Sequence, residues 1–166
     1  MPFVKKPYKP KGKVPHPATV TFPSLHEDVE KALAHSFISP EPWFNHHGRV
    51  HKVLQEYSTH VMGRFECRNP GCSKAGWGSK RIGIVIRQFP NNGYSADVYK
   101  QRCKACNNLG VLRLDENSYV ERVVYRLKKW AGIATEAPEY KESRGPPHES
   151  SLCEACRAGY CQETSN

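Results

Sequence analysis

Seven cysteines, arranged as three close pairs and a single, constrain this 166-residue chain more than any other feature. They fall as Cys67-Arg-Asn-Pro-Gly-Cys72, Cys103-Lys-Ala-Cys106 and Cys153-Glu-Ala-Cys156, with Cys161 beyond and His148 ahead of the last pair. A Cys-x2-Cys turn lets two sulfurs converge on one metal ion at about 2.3 Å. Pro-Gly inside the wider first pair suits a tight turn of the same use. An odd number leaves one thiol over from any complete disulfide framework, whereas seven thiolates and one imidazole fill two four-coordinate sites. The spacing therefore predicts two structural Zn2+ ions. Buried reduced cysteines, or a redox pair at Cys103 and Cys106, leave three pairs in one short chain unexplained, and no thioredoxin-like βαβ pattern surrounds the second pair.

The simplest partition puts Cys67, Cys72, Cys103 and Cys106 on one ion, because strands between two knuckles can bring them together. His148, Cys153, Cys156 and Cys161 then form a local second set, like a reversed knuckle. An interleaved arrangement, with one pair from each half on each ion, stays open at this stage.

Metal also suits the composition. Hydrophobic residues make up 38% of the chain and thirteen prolines interrupt it, so the apolar core must be modest and something has to supplement it. No run of residues is apolar enough for a membrane span, and the N-terminus is Lys- and Pro-rich rather than signal-like. An intracellular protein, cytoplasmic or nuclear, is expected, and in those reducing compartments clustered cysteines read as metal ligands.

Along the chain, residues 1–23 hold five lysines, six prolines and no acid, the composition of a disordered basic tail. Residues 24–60 read as a helical extension packed on the domain. Ser24-Leu25-His26-Glu27 has the form of a capping box, and Leu25, Val29, Ala32, Leu33 and Phe37 recur at helical spacing. Pro40 and Pro42 stop the helix. The histidines that follow, His46, His47 and His51, read as surface or packing residues rather than ligands.

The metal-binding domain spans 61–162. Its pattern changes to strands: one enters the first pair through Phe65, Ile82 to Ile86 forms another, Asn91-Asn92-Gly93 signals a hairpin turn, and Tyr94 to Gln101 returns straight into Cys103. Leu109 to Leu114 adds a further strand. Ser118-Tyr119-Val120-Glu121 repeats the capping-box form and opens a second helix to about Ala131, with Val120, Val123, Val124 and Leu127 on its buried face. Arg122, Arg126, Lys128 and Lys129 make up its charged, solvated face. A polar linker, 136–147, delivers His148. The fold class is α+β: a small zinc-stabilised domain, a zinc-ribbon-like antiparallel β-meander with two flanking helices.

Charge bears on partners. The chain carries 25 basic and 16 acidic residues, and between 61 and 113 there are ten basic residues against two acidic. The candidate nucleic-acid-binding residues are Lys74, Lys80, Arg81, Arg87, Lys100, Arg102 and Lys104, with Arg64, Arg68 and Arg113 nearby. Trp77, Tyr94 and Tyr99 lie among them, a mixture suited to tracking an RNA backbone while stacking unpaired bases. Trp77 is also placed to pack against the metal site. The competing expectation is a protein adaptor with an apolar patch around Trp43-Phe44 or Trp130. Catalysis, or a small-molecule substrate, is not expected: eight ligands leave no open metal position, and the His-x-Glu with Pro-Cys-x2-Cys pattern of zinc deaminases is missing.

Several motifs occur together in order: Val61-Met-Gly-Arg-Phe65-Glu-Cys67, Gly76-Trp77-Gly-Ser79-Lys80, Tyr99-Lys-Gln101-Arg-Cys103-Lys-Ala-Cys106, and His148 through Cys161. Over roughly residues 60–162 the chain resembles the 3CxxC-type zinc-finger family, which includes animal receptor-transporting proteins, zygote-arrest proteins and many fungal chains, and it is closest in style to the fungal ones. The first pair departs from that pattern, being Cys-x4-Cys, which widens the turn but removes no ligand. No membrane anchor of the kind typical of receptor-transporting proteins is expected from these residues. The resemblance implies a zinc-binding protein acting as an adaptor, a trafficking or chaperone-like factor, or an RNA binder.

Overall fold

The computed structural model of the protein describes residues 18–46, 52–138 and 148–161. Most of the basic tail (1–17), His47, His51 and most of the linker before His148 (139–147) lie outside the described residues.

The central element is an antiparallel hairpin of two long strands, β3 (Gln55–Glu66) and β4 (Gly76–Phe89), whose connection carries the first cysteine pair. Hydrophobic alternation decides which side of the sheet is buried. On β4, Ile82, Ile84 and Ile86 point into the main core, opposite Val61, Thr59 and Tyr57 of β3. Between Val61 and Gly63 the register shifts, so that Lys80 and Arg81 of β4 stand against Met62 alone, a β-bulge at the middle of the hairpin.

β4 turns through Pro90-Asn91-Asn92 into β5 (Gly93–Tyr99). Asn91 and Asn92 both have φ of 61°, the left-handed backbone that a tight hairpin requires and asparagine tolerates. β5 also pairs with β1 (Thr19–Val20) and, in parallel, with β2 (Trp43–Phe44). β6 (Val111–Leu114) flanks β3 on the other side, giving the order β1-β5-β4-β3-β6. The sheet and its helices form the expected α+β zinc-stabilised domain, with a strand pairing richer than a minimal ribbon.

Two helices cover the core face. α1 (His26–Leu33) buries Val29 and Leu33, and α2 (Glu116–Trp130) buries Tyr119, Val123, Val124 and Leu127. A third, α3 (Glu154–Ala158), lies on the opposite face of the sheet with the last cysteines.

The structure corrects several expectations. β3 begins at Gln55, so the stretch from Gln55 to His60 is strand rather than part of a helical extension. α1 ends at Leu33, and Phe37 is 91% exposed with φ of 53°, off the buried stripe. The Ser24 box makes no cap hydrogen bond, because Pro23 starts a short 3-10 turn there instead. At α2 the cap is Asp115, whose carboxylate accepts from the Ser118 N–H, while Ser118 Oγ accepts from the Met62 N–H and ties the helix to β3. Arg122 is not on the solvated face: it is 5% exposed, and its Nε donates to the carbonyl of His60 at 3.2 Å.

Candidate metal centres

The first centre is assembled from two turns. The β3–β4 connection brings Cys67 and Cys72 together, with the Cys67 N–H bonded to the Ala75 carbonyl and the Cys72 N–H to Asn69. β5 runs on into the second turn, where the N–H of Asn107 donates to the Cys103 carbonyl at 2.7 Å and the N–H of Cys103 to Asn108 at 2.8 Å. Asn107 takes φ of 63°, which reverses the chain directly after Cys106.

These turns place the four sulfurs of Cys67, Cys72, Cys103 and Cys106 within 4.8 Å of one another. Cys67 and Cys106 are 3.6 Å apart at Sγ, and Cys72 and Cys103 3.8 Å. A tetrahedron with zinc–sulfur bonds of about 2.3 Å has edges of about 3.8 Å, so the set fits Zn2+.

The second centre is more local. Cys153 caps α3, its sulfur accepting the Cys156 N–H at 3.4 Å, and Gly159, at φ of 82°, ends the helix so that Cys161 returns. His148 Nε2 lies 3.3 Å from Cys156 Sγ and 3.5 Å from Cys161 Sγ, and the four ligand atoms again fall within 4.8 Å. With bonds of about 2.05 Å to nitrogen and 2.3 Å to sulfur, a tetrahedral ion spaces them by about 3.5 Å. The partition is thus the simple one, and the interleaved arrangement is ruled out by these distances.

Burial pushes the Cys153 thiol up to about 11, and burial raises Cys161 further still. At the first centre the Asn108 backbone N–H, and after it the Asn69 side chain, pull the Cys106 thiol down to about 6. Cys67 and Cys72 of the first centre are raised too, so thiolates of both centres gain from a cation, whereas Cys106 is favoured as thiolate by its donors.

The centres are joined. Gln101 forms an isolated bridge with Cys153, the Arg102 N–H donates to Leu152, and the Glu154 N–H to Lys100. Three residues between β5 and Cys103 therefore act as a strand for the second module. Ion pairs Arg102–Glu154 at 2.6 Å and Lys104–Glu149 at 3.2 Å cross the same seam.

Beside the first centre, Trp77 stacks on Phe65 with ring centroids 5.3 Å apart and donates to the buried Gln101 side chain, which in turn donates to Ser79 Oγ and the Arg81 carbonyl. Gly110 permits this: a Cβ there would come within 2.8 Å of the Trp77 ring.

The aromatic residues expected to stack bases are otherwise enclosed. Tyr94 has no exposure and bonds His26, and Tyr99 is 9% exposed against Tyr160. Of the residues expected to form an apolar patch, Phe44 is buried, whereas Trp43 and Trp130 are half-buried, Trp130 packing against the core. Of the candidate cations, Arg87 is held by Glu56 and Asp97, and Arg102 by Glu154. Lys80, Arg81 and Lys104 are exposed, and Lys74 and Lys100 partly so.

The sequence reading missed His60, whose Nε2 lies 3.4 Å from Cys161 Sγ. It belongs to no cysteine-like spacing, and only the long β3 strand brings it there.

Among the described residues no helix is long and apolar enough to cross a membrane. No curated protein and no solved structure matches the chain. Residues 60–159 match the model of the zinc-binding domain of the 3CxxC zinc-ribbon type, an interval that begins at His60 and takes in seven of the eight ligands. With both tetrads shaped for zinc and that match covering more than half of its length, the chain belongs to the 3CxxC zinc-ribbon family of zinc-binding domains.

Proposed function

We propose that the domain is a non-catalytic, zinc-scaffolded module that binds single-stranded RNA chiefly through its phosphates. The observation that carries this reading is the division of the sheet face opposite the main core. Its β5 side is covered by the second zinc module. Its β6 side displays Arg64 directly opposite Arg113, with Gly78 on the other flank of Arg64 and Lys80 two residues along β4.

Like charges opposed across two strands repel, and here Glu66 already offsets the Arg113 charge, so the strip offers chiefly Arg64 and Lys80 to an outside anion. The carboxylate among them is Glu66, which accepts from both Arg113 and Arg68 and is held below the ordinary carboxyl range by those two. The bulge turns Lys80 and Arg81 outward on the same hairpin. A positive strip of this kind suits a phosphate backbone. Because the tyrosines are enclosed, base stacking has little part in it, and the binding should be tolerant of sequence.

The non-catalytic part of the reading is supported by the ligand count, since four protein ligands per ion leave no position for substrate or water at the zincs. Lys80→Glu with Arg81→Glu, and separately Arg64→Glu, should weaken binding of a single-stranded RNA oligonucleotide while leaving two zincs bound. Each lost phosphate contact should reduce the slope of log affinity against log salt by about one. Unchanged affinity and slope in these variants would overturn the reading and favour a protein adaptor, for which the 91% exposed Phe37 is the first residue to substitute.

A further inference from the structure

The second centre has a contact that its four ligands do not explain. His60 Nε2 stands 3.4 Å from Cys161 Sγ, yet His60 is not within ligand distance of the whole tetrad. We infer that His60 is a positioning residue of the second zinc centre, its ring N–H donating to the Cys161 thiolate. Such a donor disperses charge on a metal-bound sulfur and fixes its direction. The inference concerns metal retention and is independent of the RNA reading.

The fold holds His60 for this task from three directions. In the β3–β4 register it lies opposite Gly83, the residue on which α3 rests. β6 pairs with β3 from Gly63 to Glu66, short of His60, and the His60 carbonyl accepts from buried Arg122. The ring is half-buried between sheet and module. Cys161 is the last ligand, beyond the end of α3, and has the least local framework of the three cysteines: Cys153 and Cys156 belong to the helix, whereas Cys161 follows Gly159 and Tyr160. A donor from the sheet therefore anchors the cysteine least constrained by its own segment, and it makes the second centre depend on the hairpin rather than on residues 148–161 alone.

The tests are metal release and a magnetic coupling. His60→Phe should still bind two zincs by native mass spectrometry, but one of the two should leave to a chelator faster, in line with the about 10- to 100-fold loss of metal affinity that loss of an outer hydrogen bond causes at other metal sites. His60→Gln, which keeps an N–H, should recover part of the difference. In unmutated protein loaded with 113Cd, the His60 Nε2 proton should show a through-hydrogen-bond coupling to one cadmium, a readout that a purely structural role would not produce. Unchanged release in His60→Phe, or absence of the coupling, would overturn the assignment. Direct nitrogen–cadmium coupling at His60, or complete loss of one zinc as in His148→Ala, would overturn it too by making His60 a ligand.

Discussion

Gly83 of β4 lies directly beneath Ala155 of α3: a Cβ built at Gly83 would stand 2.3 Å from the Ala155 Cβ. The second zinc module is therefore seated on the bare backbone of one glycine, and Val85, Tyr99, Tyr160 and Cys153 close around that contact. Docking at this distance is what lets Cys161 meet His60 and lets Arg102 reach Glu154.

Replacing Gly83 with alanine should lift α3 from the sheet. Overpacking of this kind costs about 1–3 kcal/mol. The expected result is a lower thermal midpoint and faster zinc release from one site only, with the other unchanged. Identical release from both sites in G83A and the parent protein would show that the seat is unimportant.

The two tetrads should fail separately. Cys106→Ser removes a ligand of the first centre and Cys156→Ser one of the second, so each variant is expected to retain a single zinc by native mass spectrometry. Because binding at a structural site contributes directly to folding, each should also lose part of its cooperative thermal transition. A variant that lost both ions would mean that the seam at Gln101–Cys153 couples the centres more tightly than separate tetrads require.

Arg87 makes a distinct prediction. Its guanidinium pairs with Asp97 at 2.6 Å and Glu56 at 3.3 Å and sits 5.7 Å from the Tyr160 ring centroid. Arg87→Met should destabilise the protein by about 1–3 kcal/mol, because the half-buried Asp97 loses its donor, while the exposed Glu56 loses little. RNA affinity per folded molecule should not change, since this charge is already engaged within the chain. A selective loss of RNA binding at full stability would return Arg87 to the binding surface.

Metal chemistry was the most legible part of the sequence. Ligand spacing within each pair is local, and zinc restricts the residue types so strongly that all eight ligands could be named from their positions. The middle of strand β4, Ile82 to Ile86, was legible for a similar reason, its isoleucines being unmistakably apolar, whereas the stretch from Gly76 to Arg81 was not. Gln55 to His60 was not, because its residues are mostly polar and its strand character comes from pairing with β4. Arg122 looked like a solvated charge, since the carbonyl that compensates its burial belongs to His60, far away in sequence. Ser118 read as the cap of α2, but that place belongs to Asp115, with the Ser118 N–H as its donor. Tyr94 and Tyr99 read as exposed ring faces, but pairing of β5 with β4, β1 and β2 encloses them.

Zinc K-edge X-ray absorption on protein purified without added metal tests the central claim most directly, when read together with the metal content of the same sample. Two zincs per chain should share seven sulfurs at about 2.3 Å and one nitrogen at about 2.0 Å, all four-coordinate. A shell dominated by nitrogen and oxygen, or a single zinc per chain, would contradict the two-centre account.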